Sequence, residues 1–262
     1  MLQQTQVARV IPKYDAFLRR FPTPHALAKA DLRDVLSAWS GLGYNRRAKH
    51  LWQTARSIVA RQSGRMPSDP AALRALPGIG RYTAGALASF AFGRQEPAVD
   101  TNVRRVIARA VLGRADASEK EVWAAARDVL PKEAATWNHA LMDIGALYCR
   151  ATPNCLKCPL RPACAFRARG AGAKNTPQER ASTKSSTPRA QAGAYEGSRR
   201  QHRGRAIRAL TTAPSLGLLE LGPQVKEGFG KSDLPWLLDL LSDLERDGLV
   251  VLNRRKTRAA LP

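Results

Sequence analysis

Over residues 1–148 the chain offers one kind of order: apolar residues recur three and four apart, in stretches broken by turn signals, with no alternating run that would make a strand. Residues 31–39 place Leu32, Val35, Leu36 and Trp39 on one face, and residues 48–59 do the same with Leu51, Trp52, Ala55, Ile58 and Val59. Ser68-Asp69-Pro70 is a helix start, with Asp69 able to cap and Pro70 at the first helical position. Helical periodicity returns over 100–112, 118–130 and 136–148. Such a chain closes its core by packing helix on helix, so the body is predicted to be all-α. The opening MLQQTQVARVIP follows the same rule: Met1, Leu2, Val7, Val10 and Ile11 fall at helical spacing with no capping residue before them, which reads as the interior of a longer helix.

A formal charge of +22 over 262 residues, with a pI near 11.0, makes a polyanion the first partner to consider, because phosphates bound by Lys and Arg release their counterions. The longest mostly apolar run, residues 82–92, is too short to span a bilayer, and the first residues lack a secretory pattern. An intracellular protein, cytoplasmic and associated with the nucleoid, is the expectation, and there thiols stay reduced. All four cysteines fall in one window, Cys149, Cys155, Cys158 and Cys164, spaced C-x5-C-x2-C-x5-C. That spacing points to a metal site in place of disulfides, and four thiolates suit either zinc or a [4Fe-4S] cluster. Structural zinc usually draws on two close pairs; here there is one, and Pro159 and Arg161 beside the ligands of a DNA-binding chain favour the cluster.

Two stretches carry chemistry. LPGIGRYTA, residues 76–84, lies between two helical patterns; its glycines Gly78 and Gly80 permit a tight turn and leave backbone amides uncovered, while the next helix aims its positive end at the turn. Asp100 follows, at the start of an amphipathic helix, where it serves either as an N-cap or as a carboxylate that stabilises a cationic sugar while a base departs. Beyond the cysteines, residues 165–208 hold eleven Lys or Arg against two Glu, the composition of a flexible basic linker. Order returns near the C-terminus: Leu234, Leu237, Leu238, Leu241 and Leu244 form a stripe, Gly248 is placed to end it, and 249–252 can pair with 258–261 as a hairpin. That arrangement suggests a winged-helix-like module. From Ala209 onward acids and bases number seven each, so charge balance gives no sign that this module binds DNA by itself.

Taken together, LQQTQV (2–7), SGLGYNRRAKHL (40–51), LPGIGRYTAGA (76–86), VDTNVRRV (99–106), MDIGALYC (142–149) and the cysteine loop resemble the helix-hairpin-helix DNA glycosylase superfamily, and within it the A/G-specific adenine DNA glycosylases. The resemblance implies a helix-hairpin-helix glycosylase fold, a six-helix barrel plus an iron-sulfur cluster domain, followed here by the small C-terminal winged-helix-like α+β module. It suggests a barrel domain over 1–98, a cluster domain over 99–167, a linker over 168–198 and the module over 199–262. It also implies a monomer that removes adenine opposite 8-oxoguanine or guanine in double-stranded DNA. Asp100 matches the family's catalytic aspartate and Asn102 the asparagine beside it. Leu2, Gln3, Gln4 and Thr5 match the segment that wedges into the duplex; Gly78 and Gly80, with Arg81 beside them, match the phosphate-gripping hairpin. Tyr82 stands where related bifunctional enzymes carry a Schiff-base lysine, which implies a monofunctional enzyme, since a phenol forms no imine. Cys149, Cys155, Cys158 and Cys164 match the cluster ligands, with Arg150, Lys157 and Arg161 as candidate phosphate contacts.

Three departures from the family pattern shape the expectations. The family's general acid is a glutamate two residues before the methionine of its MLQQT motif, so the chain as written is expected to cleave poorly. The first cysteine spacing is one residue shorter than the family's C-x6-C, and the segment after Arg199 is too short for the Nudix-like domain that helps other members read 8-oxoguanine. A non-catalytic DNA-binding protein of the same fold, a thymine or uracil mismatch glycosylase and a zinc-bearing transcription factor are the alternatives.

Overall fold

The structure, a computed structural model, describes residues 1–3, 5–170 and 195–262. The predicted helices form. Helix α1 covers Val7–Arg20, α2 Pro24–Lys29, α3 Leu32–Trp39 and α4 Arg46–Gln62; α5 is Pro70–Arg74 and α6 Arg81–Ala86, running on as a π-helical turn over Leu87–Ala91. Helix α7 covers Thr101–Ala110, α8 Glu119–Asp128 and α9 Ala134–Leu147, and a short α10 covers Ala165–Ala168. No described helix is long and apolar enough to cross a membrane. The opening segment departs from its pattern: α1 begins at Val7 and buries Val10 and Phe17, while Val7 and Ile11 are exposed.

The described residues gather into two compact units, and these cut the chain differently from the sequence-based boundaries. One unit joins Met1–Met66 to Ala192–Pro262; the other is Pro67–Gln191. The first is held by a shared apolar core in which Phe17, Leu36 and Trp39 pack with Leu210, Leu221 and Leu241. Arg33 fixes the join, donating to the carbonyls of Leu210 (2.8 Å), Ala213 (2.7 Å) and Pro214 (2.9 Å) as a helix ends there. That helix is α11, Arg199–Thr211, followed by β1 (Leu216–Gly217), α12 (Leu218–Val225), α13 (Leu234–Arg246), β2 (Val251–Leu252) and β3 (Arg258–Ala260). The three strands form an antiparallel sheet in the order β1-β3-β2, with Leu252 opposite Ala259 and Leu216 opposite the same residue on the other side. Helix, strand, helix, helix and hairpin in that sequence is a winged-helix arrangement, and it shares its core with residues 1–66. Gly248, at φ 63°, ends α13 as its position suggested. The predicted linker lies mostly outside the described residues.

In the second unit Val103, Val106 and Ile107 of α7 pack with Val122 and Trp123 of α8 and Leu141 of α9. Each such side chain taken out of water contributes roughly 1.5–3 kcal/mol, before the conformational entropy that opposes it. Helix starts are secured by the expected chemistry. Asp69 accepts from the Ala72 amide at 2.8 Å, and Ser118 and Glu121 form a reciprocal capping box.

Candidate active site and cysteine loop

Asp100 is the N-cap of α7, and one of its oxygens, Oδ1, accepts from the Val103 amide at 2.7 Å. Among the described residues the other, Oδ2, meets only the side-chain amide of Asn102, at 3.5 Å. The carboxylate therefore holds both roles raised by the sequence: one oxygen closes the helix, the other keeps lone pairs for an outside group. Asn102 is held in turn by Arg105, which donates to its Oδ1 at 2.9 Å, to the Gly145 carbonyl at 2.6 Å and to the Cys149 carbonyl. Gly145 has no side chain for a reason: a Cβ there would stand 2.6 Å from the Cβ of Asn102.

The loop that delivers Asp100 is fixed from two sides by residues that sequence reasoning missed. Asn138, 1% exposed, accepts from the Ala98 amide (3.1 Å) and donates to the Glu96 carbonyl (2.9 Å) and the Ser89 hydroxyl (3.0 Å). Gly85 lets the loop pass, since a Cβ on it would lie 2.2 Å from the Pro97 carbonyl oxygen. The signals were a polar residue inside an apolar helix stripe and the glycine in YTAGA.

Tyr82 lies on α6 within the electrostatic reach of Asp100. Burial first, and then the negative charge of Asp100, hold its phenol above the ordinary tyrosine range, so it is a neutral hydroxyl at physiological pH. The turn before it is built as expected, with Gly78 at φ 73°, a left-handed conformation that favours glycine. Gly80 is different: its backbone is extended, and a Cβ there would meet nothing within 4 Å. The fold does not require that glycine, whereas a group approaching the backbone from outside would. Arg81 lies 3.9 Å over the Trp123 ring, a cation-π contact that anchors the start of α6.

Leu2, Gln3 and Thr5 belong to the other unit, and Gln4 lies outside the described residues. Leu2 is 59% exposed, as a wedge must be. The segment is tied down by Arg47, another residue that sequence reasoning missed although it stands within SGLGYNRRAKHL. Its guanidinium donates to the carbonyls of Met1 (3.0 Å), Gln3, Leu42 (3.1 Å) and Gly43 (3.1 Å) and to the Thr5 hydroxyl (2.9 Å). It also lies 5.4 Å from the Trp39 ring centroid and 5.5 Å from that of Tyr44.

The four cysteines line a single cavity together with Arg109 and Phe166. Cys149 reaches it in spite of its short spacing, because the Asn154 amide donates to the Tyr148 carbonyl at 2.9 Å and closes the intervening loop tightly. Burial first, and then the neighbouring cysteines, push the Cys158 thiol up. Among the described residues no three His, Cys, Asp or Glu side chains converge as they would round one metal ion. Arg109 supplies the test of fit. It is 6% exposed and no carboxylate pairs with it among the described residues; its Nη1 donates to the Arg150 carbonyl at 2.6 Å and points at Cys149 Sγ (3.7 Å), its guanidinium lies 5.5 Å from the Phe166 ring centroid, and its Nε has no hydrogen-bond partner among the described residues. A buried cation in that position calls for an anion, which a thiolate-ligated cluster would supply. Arg150, Lys157 and Arg161 are exposed around this loop.

Residues 1–132 match the model of the HhH-GPD superfamily of base excision DNA repair proteins. The chain belongs to that superfamily. Over 219 residues it is 44% identical to the adenine DNA glycosylase of Mycobacterium tuberculosis, a match covering 81% of this chain and 68% of the relative. Among solved structures, a thermostable thymine-DNA glycosylase is similar with a TM-score of 0.59 at 29% identity, over 64% of this chain and 80% of that one. A trapped endonuclease III–DNA covalent intermediate is similar with a TM-score of 0.55 at 30% identity, over 63% and 80%. Membership makes the HhH-GPD chain a DNA glycosylase of base excision repair, and the all-helical body with its small antiparallel sheet is the fold expected from the sequence.

Proposed function

We propose that this HhH-GPD chain is a monofunctional adenine DNA glycosylase, acting as a monomer on adenine mispaired with 8-oxoguanine or guanine in duplex DNA. The observation that carries the reading is the divided carboxylate of Asp100, one oxygen spent on its helix and the other held ready beside Asn102. The identity to an adenine DNA glycosylase supports the choice of base. In the reaction the target nucleotide is extruded from the duplex, a proton taken up at an adenine ring nitrogen makes the base a better leaving group, the N-glycosidic bond breaks with its electron pair going to the departing adenine, and Asp100 stabilises the positive charge that develops on the sugar. Asn102 holds that carboxylate, Tyr82 bounds the site as a neutral phenol, and water completes hydrolysis to an abasic site. The Gly78–Gly80 turn and Arg81 grip a phosphate, and Leu2, Gln3, Gln4 and Thr5 enter the duplex. Cys149, Cys155, Cys158 and Cys164 hold a [4Fe-4S] cluster, whose contribution is structural: it ties the loop into a basic surface with Arg150, Lys157 and Arg161.

Single-turnover assays on A:8-oxoG, A:G and T:G duplexes test the proposal. Adenine is released from the first two, if slowly, and thymine stays in the third, with no strand cleavage and no borohydride-trapped adduct. Release of thymine from T:G would replace this reading with the one suggested by the thymine-DNA glycosylase neighbour.

A further inference from the structure

From Ala209 onward the C-terminal module is neutral by count, with seven acids and seven bases, but the fold sorts them. Six of the acids serve the module itself. Asp239 and Asp243 pair with Arg199, Asp247 pairs with Arg203, and Asp233 pairs with Lys226 at 2.6 Å. Glu220 accepts from the Gly217 amide and Glu245 from the Leu252 amide. Four of the seven bases fall within residues 254–258, the loop between β2 and β3, and all four are exposed. Arg258 bonds Ser215, whereas Arg254, Arg255 and Lys256 make no ion pair and no side-chain hydrogen bond among the described residues.

This loop is built to hold its shape without them. Asn253 Oδ1 accepts from the amides of Thr257 (2.7 Å) and Arg258 (3.1 Å), its Nδ2 donates to the Thr257 hydroxyl (3.0 Å), and the Lys256 amide donates to the Asn253 carbonyl at 2.8 Å. Lys256 takes the left-handed conformation, φ 51°, that closes the turn. Three cations thus stand on a preformed tip, and a ligand that meets them does not have to order the backbone first. The helix preceding the wing is unsuited to enter a groove, because its polar side carries Asp239, Asp243 and Glu245.

We propose that the wing formed by Arg254, Arg255 and Lys256 is a second DNA-binding surface, which grips the phosphate backbone of duplex DNA without reading sequence. Contacts of this kind position a protein on the duplex and carry no base information. The inference rests on the functional reading only in taking DNA as the polyanion; which base is excised does not enter.

The test uses the full chain carrying Arg254→Gln, Arg255→Gln and Lys256→Asn together, asparagine being the residue other than glycine that best tolerates the left-handed turn. Binding to an undamaged 30-base-pair duplex is followed by fluorescence anisotropy across a salt series. Every phosphate that the variant no longer neutralises takes about 0.9 off the log-log salt slope, so the slope falls by about 2–3 and affinity at low salt by tenfold or more. A variant with Arg254→Lys and Arg255→Lys keeps the wild-type slope. An unchanged slope in the triple variant overturns the proposal, as does a loss confined to single-stranded RNA. Because the probe holds no mismatch, failure of the adenine assignment leaves this readout intact, and matching circular dichroism melts establish that the variants fold.

Discussion

The opening segment and the loop that leads into Asp100 are both irregular stretches held by one polar side chain, and they are held in opposite ways. Arg47 reaches its acceptors from a half-buried position, on carbonyls and a hydroxyl that water could serve as well. Asn138 makes its three bonds in the dry interior, where a missing partner cannot be replaced. The first arrangement leaves a segment able to rearrange at small cost. The second fixes the Asp100 carboxylate in place, with the close approaches at Gly85 and Gly145 leaving no room for drift.

The largest expected effect is at the fixed end. Asp100→Asn preserves the cap, since an amide oxygen also accepts from the Val103 amide, but removes the negative charge; duplex affinity is retained while single-turnover excision falls at least a hundredfold. Wild-type turnover in that variant would take Asp100 out of the mechanism. Next comes Asn138→Leu, which strands the Ala98 amide and the Glu96 carbonyl. At about 1–3 kcal/mol for each buried orphan, chemical denaturation should show a loss of roughly 2–6 kcal/mol, with slower excision in the fraction that remains folded. The smallest is Arg47→Met: stability changes by about 1 kcal/mol or less by the same measurement, while mismatch affinity drops severalfold in anisotropy titrations. If Arg47→Met proved as destabilising as Asn138→Leu, the contrast between an adaptable and a fixed segment would be wrong.

Helix positions were legible because they depend on local rules. All four residues of the 31–39 stripe are buried, and Asp69 and Ser118 cap the helices they precede. The roles of Asn138, Gly85, Gly145 and Arg47 depend on what lies across space, and periodicity does not encode that. Strand β1 escaped notice because two residues, Leu216 and Gly217, carry no alternation; they are a strand only because β3 lies alongside. The grouping of distant segments into one compact unit was hidden for a similar reason: Ile207 and Leu210 read as a helix of their own module, and only the fold shows that they share a core with residues 1–66. At the C-terminus a charge count concealed the arrangement, since equal totals say nothing about where each sign resides.

The divided duty of Asp100 has a consequence for anyone who screens variants. On the proposed role, alanine at this position would slow the enzyme and fray the first turn of α7 together, so a loss of activity would be confounded with a loss of stability. Asparagine, which still caps the helix, separates the two losses, which makes it the informative substitution and alanine a misleading one.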